Sequence, residues 1–419
     1  MINIWNKYKN SSFVLKMSIG FILGVVTGVV FGKQAELLKP LGTLLIHLLS
    51  LIAIPIIFLT VVLAVNQMNV KQLGRIGGKL IFYYAVTTAA AILIGLGLAL
   101  YFEPGVNMTL PDANVEKPDT PHVSDVLLQI VPENMFEAFT SGDLMSILFL
   151  AVIIGMAMSL MKFSSEEKSQ RYGEVLNTFF YALNEMFFKI LRGILLYAPI
   201  GIFAISASSF GSQGWETVES LLKLTGVFYL GLVLLWVFVY SGLLKLSGTS
   251  ILRFFRNTKE AYTTAFFTSS SIASLPVAIE AAEKAGISKK TANFALPLGA
   301  VFNSDGGALR MGVSIVFAAN VTNLNLSPTD FLAIILIGTL LSIGTAGVPA
   351  AGLVTLSAVL TMFGLPLEIV ALIGGVDAIL GMGGTASNVT GDIVGAAVID
   401  RSEKRKAVRT LIKGRNAQF

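Results

Sequence analysis

Asp377, Gly381, Gly384, Asn388 and Asp392 follow one another at intervals of four, three, four and four residues. At 3.6 residues per turn that spacing places all five on one face of a helix. The surrounding run, 369–399, is otherwise strongly apolar, so two carboxylates and an amide would sit at membrane depth. A bare charge there costs about 2.5–3.5 kcal/mol on insertion scales, so such groups need cations, partners or water. The chemistry this suits is a wall that holds cations and a solute. The alternative is an interhelical hydrogen-bond seam with small residues for close packing.

A second constellation lies upstream, in Leu296-Pro297-Leu298-Gly299-Ala300-Val301-Phe302-Asn303-Ser304-Asp305-Gly306-Gly307. It brings a carboxylate, an amide and a hydroxyl into a stretch that proline and glycine loosen. Carbonyl oxygens freed by such loosening are hard ligands suited to an alkali cation; the alternative is a simple kink. In Tyr83-Tyr84-Ala85-Val86-Thr87-Thr88, Tyr84, Thr87 and Thr88 share a side and offer neutral oxygens, unless the threonines back-bond to their own helix. The chain has no cysteine and two histidines, which excludes disulfides and thiolate nucleophiles and argues against zinc. No nucleophile and base accompany the carboxylates, so the chain does not read as an enzyme.

The elements that must position these residues are membrane helices. Of 419 residues, 54% are hydrophobic and 13% charged, against about 25% charged in soluble proteins. The 40 glycines and 13 prolines spread through apolar sequence fit packed, locally broken spanning helices and not a β-barrel of short alternating strands. Apolar stretches at 12–32, 40–66, 78–102, 144–162, 174–210 and 217–247 are each long enough to span, at about 20 residues. The net charge of +5 resides in short runs between them, where it sets orientation and does not imply nucleic acid. Lys7, Lys9 and Lys16 precede the first stretch, Lys71, Arg75 and Lys79 follow the second, and Glu103, Asp112, Glu116, Asp119 and Asp125 make the next connection acidic. Basic connections face the cytoplasm, which places the N-terminus inside. No small-residue cleavage site follows a short apolar core, so the start reads as mature.

Beyond residue 250 the apolar segments are interrupted. Segment 257–283 turns at Ser269–Pro276 and emerges at Lys284, Lys289 and Lys290, so it enters and leaves on the cytoplasmic side. Segment 291–319 spans outward, 330–365 turns at Gly344–Gly352 as a hairpin from outside, and 369–399 spans back to a basic tail from Arg401 to Arg415. Both termini are then cytoplasmic, in a multi-pass protein of the cell membrane whose surface meets lipid. Two broken segments entering from opposite faces are the mark of an inverted-repeat transporter with its site near the midplane.

The motifs Ser269-Ser270-Ser271-Ile272-Ala273-Ser274-Leu275-Pro276, Asn303-Ser304-Asp305-Gly306, Gly344-Thr345-Ala346-Gly347-Val348-Pro349 and Asn388-Val389-Thr390-Gly391-Asp392 resemble, in order, those of the glutamate transporter family. These are the dicarboxylate/amino acid:cation symporters, and the chain is similar to a divergent, prokaryotic-type member. The resemblance implies an all-α integral membrane fold of eight transmembrane segments and two re-entrant helical hairpins, working as an elevator-type homotrimer. It divides the chain into scaffold spans at 1–77, a third span with its extracellular loop at 78–143, spans four to six at 144–250, a transport core at 251–400 and a tail at 401–419. Spans four and five belong with the scaffold, spans three and six with the moving domain. Carried over by position, Gly299, Asn303, Asn388 and Asp392 match one Na+ site, and Tyr84, Thr87, Thr88, Asn303 and Asp305 match a second. A third, held by backbone carbonyls, has no side-chain signature.

The substrate positions depart from that family's pattern. The aspartate that holds an amine falls at Gly381, and the arginine that holds a side-chain carboxylate falls at Gly384. That arginine's threonine partner is Gly307, and the arginine often found in the inner hairpin is Ser269. Carboxylate contacts remain at Ser271, Thr385, Asn388 and the hairpin backbone up to Gly352. Arg310 stands seven residues after Asn303, about two turns along the same face. It either replaces the missing anchor or forms an ion pair with Asp377 or Asp305. The expected function is sodium-coupled symport of a small carboxylate-bearing solute. An amino acid is favoured, its amine reaching water, carbonyls or Asp377, with a C4-dicarboxylate as the alternative. The rivals are proton coupling, or an anion channel or substrate-gated sensor on the same fold.

Overall fold

A computed structural model describes residues 13–66, 74–106, 108, 131–142, 144–213, 215–342 and 351–416. The described residues form helices and their connections, and each apolar stretch expected before residue 250 is helical. These are α1 (Phe13–Phe31), α2 (Lys39–Asn66), α3 (Gly74–Phe102), α5 (Leu144–Lys162), α6 (Glu167–Gln213) and α7 (Trp215–Leu234). A 3-10 turn, Gly32–Leu38, joins α1 to α2, and the short α4 (Met135–Ser141) precedes α5. At 47 residues α6 is longer than expected, roughly 70 Å at 1.5 Å per residue. Helix α7 continues through a π-helical stretch, Leu235–Tyr240, into α8 (Ser241–Ser247).

Lipid offers no hydrophobic drive between helices, so they associate through close packing. Helix α1 does this with Gly20, Gly24 and Gly28, where an added Cβ would meet the backbone carbonyls of Pro199, Phe203 and Ala207 on α6. The opposite side of α1 carries Ile22, Val26 and Val29, all more than half exposed, which suits a lipid-facing surface. A second close approach, between Gly306 and Gly384, brings together the two elements that carry most of the candidate site.

The second half is built from broken helices, and the breaks differ in detail from expectation. The segment expected to form the inner hairpin is α9 (Ile251–Thr268) and α10 (Ser271–Lys284). Its turn is confined to Ser269–Ser270, and Pro276 lies inside α10. The turn is tight because Ser269 takes a left-handed conformation, φ 49°. Ser270 caps α10 by accepting from the Ala273 N–H at 3.3 Å. The seventh span is α11 (Lys289–Phe302) and α12 (Asp305–Val321), unwound at Asn303–Ser304 with Pro297 and Gly299 still helical. The segment expected to form the outer hairpin supplies α13 (Pro328–Ser342) and α14 (Ala351–Met362); the turn expected at Gly344–Gly352 lies almost wholly outside the described residues, as do Lys7, Lys9, Lys71 and most of the acidic connection. The last span, expected to be continuous, is α15 (Glu368–Gly374) and α16 (Asp377–Asn416), bent by 75°. Gly374-Gly375 supports little helix propensity there.

The C-terminal half of α16 is tied to its neighbours. Asp400 is buried and accepts from Ser288 at 2.5 Å and Thr291 at 2.9 Å, anchoring the start of α11. Lys79 of α3 reaches Ser402 at 2.7 Å and Glu403 at 2.6 Å, and Arg405 donates to the Ser247 carbonyl at 2.8 Å.

The α1–α6 seam generates a test of the fold. Gly24→Leu should destabilise the protein by about 1–3 kcal/mol through overpacking, whereas Val26→Leu on the outer face should stay within about 0.5 kcal/mol. Thermal unfolding of both variants in lipid nanodiscs measures the difference.

Candidate functional site

The two breaks near Asn303 and Gly375 put polar side chains in the middle of the helical mass. Asp305 opens α12 and is fully buried. Its Oδ1 accepts from Thr87 at 3.1 Å and Thr88 at 2.9 Å, both from α3. Its Oδ2 accepts from the Tyr240 hydroxyl at 2.8 Å. Three hydroxyl donors from two other elements thus answer one carboxylate, and hydrogen bonds to a charged acceptor are the strong ones. The expected grouping of Thr87, Thr88 and Asp305 is present. Tyr84 departs from it, donating to the Ala295 carbonyl at 3.2 Å.

Tyr240 was not legible in the sequence, because it lies in a span that reads as uniformly apolar and aromatic. It closes the π-helical stretch, and such local widening shifts the register of the side chains that follow. Trp236, four residues earlier, donates to Ser387 at 3.0 Å, so the same stretch addresses both α12 and α16. Gly391 is the matching accommodation on α16: a Cβ there would stand 2.6 Å from the Tyr240 hydroxyl and 3.1 Å from Asp305 Oδ2.

The second cluster centres on Asp392, which is buried. The Asn303 amide donates to its Oδ1 at 2.9 Å and to the Asn388 carbonyl at 3.4 Å. The remaining Asn303 Oδ1 is buried with no partner among the described residues. Turning the amide over would set oxygen against carboxylate, so the orientation is chemically determined. A Cβ at Gly299 would overlap the Asp392 carboxylate and lie 2.7 Å from the Tyr84 hydroxyl. Gly299, Asn303, Asp392 and Tyr84 are therefore mutual neighbours. Asn388 faces the same break, its Oδ1 accepting from the Gly306 N–H at 2.8 Å and its amide meeting Ser304 at 3.4 Å.

Carboxylate, amide and carbonyl oxygens around an orphaned buried acceptor are the donor set of a hard monovalent cation, as against a transition metal. In keeping with this, no group of three His, Cys, Asp or Glu side chains gathers among the described residues.

The proposed solute contacts divide. Arg310 is buried and forms an ion pair with Asp377, at the start of α16, through Nη1; Asp305 is not its partner. Its Nη2 has no partner among the described residues. Arg310 and Gly352 line one cavity of about 30 Å³ with Ser304, Gly307, Ser342 and Thr355. Ser271, Thr385 and Asn388 are not on that cavity. Ser271 is buried at the start of α10, and Thr385 is half-buried on α16.

Gly299→Ala should disrupt the cluster by forcing Asp392 and Tyr84 apart. Tyr240→Phe should lose about 1.5–3 kcal/mol, the range for a hydrogen bond to a charged group. Denaturant or thermal unfolding of Tyr240→Phe beside the unmodified protein checks the second figure, and an unchanged midpoint would contradict the arrangement.

The sodium:dicarboxylate symporter family model matches residues 13–402. The chain is 32% identical over 401 residues to a proton/sodium-glutamate symport protein of Geobacillus stearothermophilus, covering 92% of this chain and 93% of that one. It is 32% identical over 399 residues to the protein of the same description from Bacillus subtilis, covering 92% and 91%. To a C4-dicarboxylate transport protein of Deinococcus radiodurans it is 32% identical over 422 residues, covering 97% and 93%.

Proposed function

The chain belongs to the sodium:dicarboxylate symporter family, a family of membrane transporters and not of enzymes, and from that premise we propose that it is a sodium-coupled secondary active symporter of a small carboxylate-bearing solute. The observation that carries the sodium part is the unpartnered Asn303 Oδ1, buried beside Asp392 at the break of the seventh span. Two acceptor-rich clusters, one at Asp392 and one at Asp305, hold more negative charge than their neutral donors can offset. In the proposed mechanism a sodium ion at each relieves that excess, and the solute binds to the charge-balanced state. Gly299, Asn303, Asn388 and Asp392 hold one ion, and Thr87, Thr88, Asn303 and Asp305 hold the other, with Tyr84 closing the space between them.

For the solute, Ser271, Thr385, Asn388 and the backbone near Gly352 contact one carboxylate. The relatives named above are described as carriers of glutamate and of C4-dicarboxylates, which share two carboxylates and differ in the amine. An amine was to reach Asp377, yet that carboxylate is engaged by Arg310. This favours the dicarboxylate reading over the amino acid. In the same proposal eight spanning segments and two opposed hairpins form each subunit of a homotrimer, with both termini cytoplasmic. The residues from 251 to 400 move with spans three and six against a scaffold of the remaining spans. Coupling to protons is the rival that the names of two relatives keep open.

Uptake into proteoliposomes separates these readings. Sodium outside should drive accumulation, choline should not, and acidic sodium-free buffer should give none. Asp392→Asn and Asp305→Asn should abolish sodium dependence while the protein still purifies as a folded species. Equal uptake in sodium and choline by the unmodified protein would contradict sodium coupling, and acid-driven uptake in its place would support protons.

A further inference from the structure

Arg310 leaves one terminal nitrogen of its guanidinium without a hydrogen bond among the described residues. A guanidinium is planar and carries five N–H donors in a fixed fork, and a purely structural buried pair is stable when all of them find acceptors. Here Nη1 is held by Asp377 while Nη2 is buried and unpartnered among the described residues. Arg310 lines the cavity of about 30 Å³ between α12 and the two arms of the outer hairpin, where Ser304 and Ser342 add hydroxyls. A single water needs roughly 10–15 Å³ on this measure, so the space takes about two oxygen atoms.

Two glycines make that space. At Gly352 a Cβ would run into the guanidinium, and at Gly307 a Cβ would come within 2.5 Å of Ser304 Oγ. Asp377 begins α16 directly after the 75° bend, so the acid that grips Nη1 is fixed by the backbone. The other buried acids of the transport core are also engaged, Asp305 by three hydroxyls and Asp392 by Asn303. No acid lines the cavity among the described residues and Asp377 is already paired with Arg310, so an ammonium group entering here finds no free carboxylate, whereas a carboxylate finds the Nη2 donor.

We propose that Arg310 is the specificity-determining residue of this transporter, holding the distal carboxylate of the solute through Nη2. Asp377 is its positioning residue, fixing the guanidinium edge through Nη1, and Gly307 and Gly352 supply the clearance. The inference rests on the symport reading for its physiological meaning, but the subsite is defined by binding alone. The Arg310–Asp377 pair is neutral as a unit, and cations at Asp305 and Asp392 offset those two carboxylates, so the solute enters a site whose negative charge sodium has already relieved. Discrimination between one-carboxylate and two-carboxylate solutes is therefore itself sodium-dependent.

The test is equilibrium binding to the purified full-length protein in sodium, with succinate, butyrate and aspartate as probes, beside proteoliposome uptake of the same three. The unmodified protein should bind succinate over butyrate by about thirtyfold or more, the lower range for one buried charged contact. Aspartate should gain nothing over succinate. Arg310→Gln combined with Asp377→Asn leaves no stranded charge and should collapse the succinate preference to about threefold or less. Its folding is checked by the sodium-induced rise in melting temperature. Gly352→Ala should weaken succinate binding more than butyrate binding, which a loss of packing alone would not do. Asp377→Asn should shift the succinate-to-butyrate ratio rather than lower both affinities equally. A double variant that keeps the original preference, or an unmodified protein that binds both acids equally, overturns the subsite. Succinate preference without sodium-driven uptake would support the subsite and sink the symport reading instead.

Discussion

The constraint on which residues 251–400 depend most is the burial of three carboxylates in a helical mass of a membrane protein. Asp305, Asp377 and Asp392 are each no more than 3% exposed, and an ionised group there must find charge or hydrogen bonds nearby. The three are answered in three ways. Asp305 receives hydroxyls from α3 and from the π-helical stretch, Asp392 receives an amide from the broken seventh span, and Asp377 receives a guanidinium. Two of these answers supply no positive charge, and they are the two that coincide with the candidate cation sites. The third is already neutral and stands beside the cavity.

Such contacts require helices to approach closely and to stop in mid-membrane. Glycines at 299, 306 and 391 let the carboxylate, amide and tyrosine neighbours come within bonding distance. The breaks at Asn303–Ser304 and before Asp377 interrupt the helices beside these side chains, an irregularity tolerated in a membrane protein only where protein or water replaces lipid. Toward the C-terminal end of α16, three of the basic residues that sequence logic assigns to orientation also have structural partners. Lys79 bonds to Ser402 and Glu403, Lys404 pairs with Asp400 at 2.7 Å, and Arg405 meets the Ser247 carbonyl. These contacts tie α3, α8 and α11 to α16, so elements distant in sequence are connected at that end.

Much of this was legible from residue types and spacing. The helix stretches before residue 250, the inner hairpin, the loosened Asn303–Gly307 region and the one-face stripe from Asp377 to Asp392 all follow from apolar length, glycine and proline, and helical period. What escaped did so for physical reasons. The bend before Asp377 falls in a run whose hydropathy is continuous, so only packing reveals it. Tyr240 is set by a π-helical register, and no linear pattern encodes which tyrosine of an aromatic span will face a carboxylate. Tyr84 donates to the Ala295 carbonyl, and Tyr240, not legible in the sequence, takes the contact with Asp305. For Arg310 the sequence offered either an ion pair or an anchor. The geometry pairs Nη1 with Asp377 and leaves Nη2 beside the cavity, a division of one guanidinium that spacing alone cannot express.

The central claim is that buried charge at Asp305 and Asp392 links cation binding to solute binding. Linkage is reciprocal, so a solute that binds the cation-loaded state must tighten the cation by the same factor. The most direct measurement is the solute dissociation constant of the purified protein as a function of sodium concentration at constant ionic strength, with choline as replacement. The account predicts that affinity rises steeply with sodium, with a log–log slope of at least about one at sub-saturating concentrations. A slope of zero, with solute binding equally well in choline, would contradict it.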